Sequence, residues 1–342
     1  MPHYDKDTLL ADWRRRALNF EQEIGKAVIG LDRAIHQITL AVFSRGHVML
    51  EGDVGVGKTT LLRAVARGLG GAYERIEGTI DLMPNDLIYH TYINELGKPQ
   101  VDPGPILKHG EQLSVFFFNE VNRARPQVHS LLLRVMAERS ITAFNREYFF
   151  PHLQVFADRN RVEKEETFEI PSAARDRFLM ELHIETPQDL GLQRDLMFDP
   201  RFHDTDRLID DVQPGALPYR DIADIARVIQ GEIKASDTLQ QYALHLWQAT
   251  RKPQDYGVKI DGVDMQRLIL AGASPRGMSM MMRAARVSAW LNDRTSLIPE
   301  DVRLVFMDTT AHRVFFNPVY ELRRSELVGE LMSRILQRVA AP

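Results

Sequence analysis

At 342 residues, with 44% hydrophobic and 26% charged residues, the chain has the balance of a globular protein and room for one large or two ordinary domains. A formal net charge of -4 and a pI near 6.3 predict no bulk attraction to nucleic acid, and the absence of cysteine excludes disulfides, thiolate zinc sites, iron–sulfur clusters and a cysteine nucleophile. The acidic start lacks the order of a signal peptide and no apolar run approaches the ~18 residues of a membrane span, so the sequence reads as cytoplasmic and non-spanning.

Residues 8–24 carry apolar positions at helical spacing, and Ile35, Ile38, Leu40, Ala41 and Phe43 mark a second amphipathic helix. The period then changes. His47 to Glu51 is a short buried strand, Gly52 to Gly57 a turn, and Thr59 to Leu69 a helix stopped by Gly70-Gly71. Further strands are expected at Tyr73–Ile76, Ser114–Phe118, Leu153–Ala157 and Leu179–Ile184, alternating with helices or loops as in a parallel sheet covered on both faces. Beyond Pro187 the strand signal fades into a polar stretch from Asp195 to Pro218. Helical patterns follow near 220–232, 237–251, 263–271, 278–293 and 299–315. The expected class is therefore α/β, an αβα P-loop core with a parallel sheet followed by an all-helical lid. The expected boundaries are an N-terminal helix at 1–19, the core at 20–190, a linker at 191–217, the lid at 218–317 and a C-terminal helix at 318–342.

The chemistry is concentrated in Gly52-Asp53-Val54-Gly55-Val56-Gly57-Lys58-Thr59, followed by Thr60. Glycines at this spacing let backbone N–H groups turn inward around phosphate oxygens at the positive end of the next helix, with Lys58 reaching the outer phosphates and Thr59 a Mg²⁺ ligand. Without context such a string is only a glycine-rich turn; the strand before it and the helix after it favour the phosphate reading. A second apolar strand ends in Asn119-Glu120, where acids are expected to hold the metal and position the attacking water. Glu120 is the candidate to activate that water, while Asn119 occupies the place of a metal-supporting aspartate. The methionines at 278 and 280–282 belong to an apolar helix face, and no histidine has a paired metal-ligand spacing. The charged run Arg161 to Glu166 reads as a solvated or partner-contacting loop.

These strings resemble the MoxR family of AAA+ ATPases. Gly46-His47-Val48-Met49-Leu50-Glu51-Gly52 is similar to the family's GHvLLEG, Asp81 to Leu87 to its DLxPxD segment, and Pro103-Gly104-Pro105-Ile106 with Asn119 to Ala124 to its PGPi…DEiNRA apart from the first acid. The resemblance implies that Val28-Ile29-Gly30 contacts adenine, that Asn160 is the sensor amide near the γ-phosphate, and that Asp176-Arg177-Phe178 carries an arginine finger for a neighbouring subunit, with Arg175 competing for that role. Ser274-Pro275-Arg276 looks like the family's SPR, with Arg276 contacting the nucleotide from the lid. Where the family reads ATQNP, this chain reads Ala157-Asp158-Arg159-Asn160-Arg161.

The resemblance further implies ATP or ADP with Mg²⁺ as ligands, a homo-hexameric ring, and a chaperone acting on a client complex with a von Willebrand factor A domain partner. It also implies a pore-facing insert within Thr79–Gly104. A poorly hydrolysing nucleotide switch and a nucleic-acid translocase are the competing readings. Asn119 supports the first. The second has only Lys98, Tyr89, Tyr92 and His90 in the insert behind it. No substitute for the missing aspartate is evident in the sequence, since Asp102 precedes Pro103 in what reads as a loop. An amide lacks the charge that helps hold Mg²⁺, and groups of this kind matter by about 10–100-fold. The sequence thus predicts a weakened Mg²⁺ requirement and slow hydrolysis, accelerated by Asn119→Asp; a Mg²⁺ titration of the steady-state rate checks it.

Overall fold

The computed structural model describes residues 6–160 and 167–342, so the expectation for Arg161 to Glu166 lies outside the described residues. Two helices, α1 (Lys6–Gly25) and α2 (Asp32–Phe43), precede strand β1 (His47–Gly52) and helix α3 (Lys58–Leu69). Nine of the twelve α2 residues are buried, as its apolar spacing demands. Strand β2 (Ala72–Glu77) follows, then an insert folded as the hairpin β3 (Tyr89–Ile93) and β4 (Pro99–Pro103). Next come β5 (Leu113–Asn119), α4 (Pro126–Glu138), the hairpin β6 (Ser140–Ala143) and β7 (Arg146–Phe149), β8 (Gln154–Asn160), α5 (Ser172–Arg175) and β9 (Phe178–Ile184).

Five strands form one sheet in the order β2-β5-β8-β1-β9, and the pairs β2–β5, β5–β8 and β1–β8 are parallel. All seven residues of β5 are buried, which suits a central parallel strand covered on both faces. Its Phe116 and Phe118 share a core cluster with Met49, Leu132, Phe150 and Val155.

Neither hairpin was among the expected strands, helices or loops being expected there. β3, β4 and β7 are short and largely exposed, so neither hairpin alternates apolar and polar residues strongly enough to be read. Asp102 accordingly lies in a strand, paired with His90, but on the exposed insert. At the hairpin tip Ile93 and Leu96 are largely exposed.

After the sheet, the polar stretch contains α6 (Leu190–Phe198) and α7 (Thr205–Asp210), each started by an aspartate that accepts a backbone N–H: Asp189 from Leu192 and Asp204 from Arg207. Such caps explain helices where apolar periodicity is faint. The chain then runs through α8 (Ile222–Glu232), α9 (Asp237–Arg251), α10 (Met265–Leu268), β10 (Ile269–Ala271), α11 (Pro275–Leu291), α12 (Pro299–Thr310), β11 (Phe315–Phe316), α13 (Pro318–Glu321) and α14 (Arg324–Arg338). The segment 263–271, expected as a helix, is one helical turn followed by β10, which pairs antiparallel with β11. By contact density the chain divides into two compact units, one comprising residues 15–178 and 182–223, the other built mainly on residues 224–342.

Within the second unit, buried Asp301 accepts hydrogen bonds from Ser288 Oγ (2.7 Å), Arg294 Nη1 (2.5 Å), Arg294 Nη2 (2.7 Å) and the Ile298 N–H (3.0 Å). Removing one partner of a buried ion pair leaves the other uncompensated. Asp301→Ala is therefore expected to destabilise this unit by about 3 kcal/mol, read as an earlier transition in chemical denaturation.

Candidate active site

The functional side chains gather where β1, β5 and β8 end. Gly55 and Gly57 have φ of 81° and 88°, left-handed values that a side chain would strain, and they turn the loop so that α3 begins at Lys58. Lys58 is buried, and its ammonium donates to Gly52 O (2.6 Å), Asp53 O (3.1 Å) and Asn160 Oδ1 (2.8 Å). Asn160 stands beside the loop because β8 runs in register with β1, pairing Asn160 with Gly52.

The Asn160 amide also donates to Glu120 Oε1 (3.0 Å), and Arg123 Nη1 donates to Glu120 Oε2 (2.9 Å). Glu120 has φ of 52°, sparsely populated by non-glycine residues and common where function fixes a side chain. Gly78 explains part of that conformation: its N–H donates to Asn119 O (2.7 Å), and a Cβ there would come within 2.1 Å of Glu120 O.

Asn119, also buried, donates its amide to Glu77 Oε1 on β2, its register partner. On its other side the adjacent strand carries a carboxylate. Asp158 of β8 is buried, accepts the Glu120 N–H (2.6 Å) on Oδ1 and holds Oδ2 3.6 Å from Lys58 Nζ. Burial pushes the Asp158 carboxyl above the usual carboxylate range, opposed by the Glu120 N–H and by Lys58. Nearby, buried His129 bonds Val121 O (2.7 Å) and is held below the ordinary histidine range by burial.

A cleft of about 280 Å³ joins Val28 and Ile29 to Gly55, Val56, Gly57 and Thr60. Thr186, Pro187, Leu196, Phe202 and Leu208 complete its walls. The sequence reading assigned none of these last residues to a site: Leu196, Phe202 and Leu208 come from the stretch expected to link two domains, and Thr186 and Pro187 from the end of the expected core. Gly30, at φ of 72°, packs so closely on Pro187 that a Cβ would lie 2.6 Å from its ring. Asp53, Val54 and Gly55 are exposed, whereas Thr59 and Thr60 are half-buried at the start of α3.

Arg177 donates to Ala173 O (2.8 Å), and Arg175 lies in the adjoining turn of α5. In the second unit, Ser274 caps α11 by accepting the Gly277 N–H (3.0 Å), which puts Pro275 and Arg276 in the first turn. Oxygen donors suit Mg²⁺, and the Glu120 and Asp158 carboxylates beside Lys58 are donors of that type.

A strand, a glycine loop and a helix opening on a buried lysine, with a carboxylate and an amide facing it, define the P-loop class of nucleotide-binding proteins. Residues 47–180 match the family model described as "ATPase family associated with various cellular activities (AAA)", and residues 265–333 match the AAA lid domain. The chain is 62% identical over 336 residues to Protein MoxR of Methylorubrum extorquens, covering 98% of each, and 32% identical to Chaperone MoxR1 of Mycobacterium tuberculosis, covering 94% of this chain and 81% of that protein. A crystal structure from Cytophaga hutchinsonii, described as that of a candidate ATPase, superposes with a TM-score of 0.83 at 29% identity, covering 97% of each chain. The chain belongs to the MoxR family of AAA+ ATPases.

Lys58→Ala removes the ammonium that four strand-end and loop residues surround. ATP affinity is expected to fall about 100-fold or more, on the scale of a lost buried charge contact; isothermal calorimetry with unchanged binding would overturn the phosphate-loop assignment.

Proposed function

We propose that this chain is an ATP-hydrolysing ring chaperone, a cytoplasmic homo-hexamer that remodels, matures or activates a client complex with a von Willebrand factor A domain partner. The observation that carries hydrolysis is the continuous contact Lys58–Asn160–Glu120, at 2.8 and 3.0 Å, which ties the phosphate-binding cation to the water-orienting carboxylate. The Mycobacterium tuberculosis relative's description as a chaperone supports the remodelling role. The partner and the ring rest on the family resemblance.

In this reading the backbone N–H groups of the loop and the start of α3 hold the phosphates, while Val28, Ile29 and Gly30 face the base. Thr59 and, through water, Asn119 would hold Mg²⁺, which would supply neutralisation of the outer phosphates. Glu120 orients a water in line with the γ-phosphorus and receives its proton as the bond to the bridging oxygen breaks. Asn160 keeps Glu120 in place. Arg177, or Arg175, meets the developing charge in a neighbour's site, and Arg276 contacts nucleotide from the lid. Rings of this kind follow from heterologous contacts that close.

The second reading, an ATP-dependent switch with slow turnover, is favoured by the engagement of both Glu120 oxygens, one by Asn160 and the other by Arg123. Steady-state ATPase with and without the co-purified partner separates the two.

Arg177→Ala is expected to leave ATP binding nearly intact and to lower hydrolysis by about 10³-fold or more, because a finger acts on transition-state charge. Mixing these subunits with Glu120→Gln subunits should restore activity at composite sites. If no activity returns while both variants form rings, Arg175 becomes the better candidate.

A further inference from the structure

Two of the departures from the family's strings are neighbours in space. Asn119 ends β5 where the resemblance calls for an aspartate, and Asp158 lies on β8 where ATQNP has threonine. The parallel register runs to Phe118 opposite Ala157, so Asn119 and Asp158 are the next residues along adjacent central strands.

Asp158 is placed for more than neutralising Lys58. The three ammonium protons of Lys58 already go to Gly52 O, Asp53 O and Asn160 Oδ1, and the 3.6 Å approach to Asp158 Oδ2 is too long for a hydrogen bond. Asp158 Oδ1 is taken by the Glu120 N–H, and among the described residues no group donates to Oδ2. The Asp158 side chain is 3% exposed, and its Oδ2 keeps its lone pairs available to a further donor. A water bound to Mg²⁺ beside Thr59 would be one. Asn119, meanwhile, turns its amide nitrogen toward Glu77.

We propose that Asp158 carries the charge missing at Asn119, supporting the Mg²⁺ of the bound nucleotide from β8 through a metal-bound water. This rests on the nucleotide-site reading above. It replaces the expectation of a weakened Mg²⁺ requirement: the chain keeps an ordinary one, and Asn119→Asp alone adds a second carboxylate beside the first instead of restoring a lost one.

The test is ADP affinity by calorimetry in Mg²⁺ and in EDTA, for the full chain, for Asp158→Asn, and for Asn119→Asp/Asp158→Asn. Asparagine can still accept the Glu120 N–H while losing the charge. The Mg²⁺-to-EDTA affinity ratio should fall about 10–100-fold in Asp158→Asn and recover in the double variant. A residue that only neutralised Lys58 would change both affinities alike, so an unchanged ratio overturns the proposal, as does a double variant that fails to recover. Should Asp158→Asn melt early, Asn119→Asp/Asp158→Thr, which recreates the family's pair, must show the unaltered chain's ratio or the proposal falls. An unaltered chain that binds no ADP in either buffer defeats the nucleotide reading itself, and this proposal with it.

Discussion

A lysine ammonium taken out of water is costly unless its protons are matched and its charge is countered. Around Lys58 this is done by two carbonyls of its own loop, the amide oxygen of Asn160 and the carboxylate of Asp158. Satisfying one cation thus demands that the end of β1, the turn after it and the end of β8 meet within a few ångströms. β5 is drawn into the same point by the Glu120 N–H on Asp158 and by Asn160 on Glu120. The order β2-β5-β8-β1-β9 is what permits this, since it sets β8 between the strand that leads to the loop and the strand that leads to Glu120.

The same order decides what was legible in the sequence. Four of the five sheet strands, β1, β5, β8 and β9, could be read because each carries a compact apolar run, and β5 is buried along its whole length. The loop, Glu120 and Asn160 could be read because each sits inside a recognisable string at a strand end. Asp158 could not, although it occupies one of those strings, because its closeness to Asn119 is a fact of register between strands far apart in the chain. Its one sequence signal was a pair of departures, an acid lost in one string and gained in another.

The hairpins and the helices of the polar stretch were obscured for different reasons. β3, β4 and β7 expose most of their residues, so there is no apolar alternation to read. α6 and α7 depend on Asp189 and Asp204 as caps, and aspartates in an Asp- and Pro-rich segment look like linker. Those helices matter nonetheless, because Leu196 and Leu208 from them, with Phe202 between, close the cleft beside Val28 and the loop.

An open sheet has borders, and a border strand presents unpaired backbone groups to any passing chain. In this sheet one border is β2, whose sequence Ala-Tyr-Glu-Arg-Ile-Glu is dense in charge. Glu74 is bound by Lys108 and His109, both at 2.7 Å, and Arg75 pairs with Glu77 at 3.0 Å. A strand arriving side-on would have to strip these ion pairs of water and one another before any ladder could form. The border that supplies Glu77 to Asn119 therefore also discourages one molecule from extending its sheet into the next, a guard against edge-to-edge aggregation in a chain whose interior strands are rich in phenylalanine.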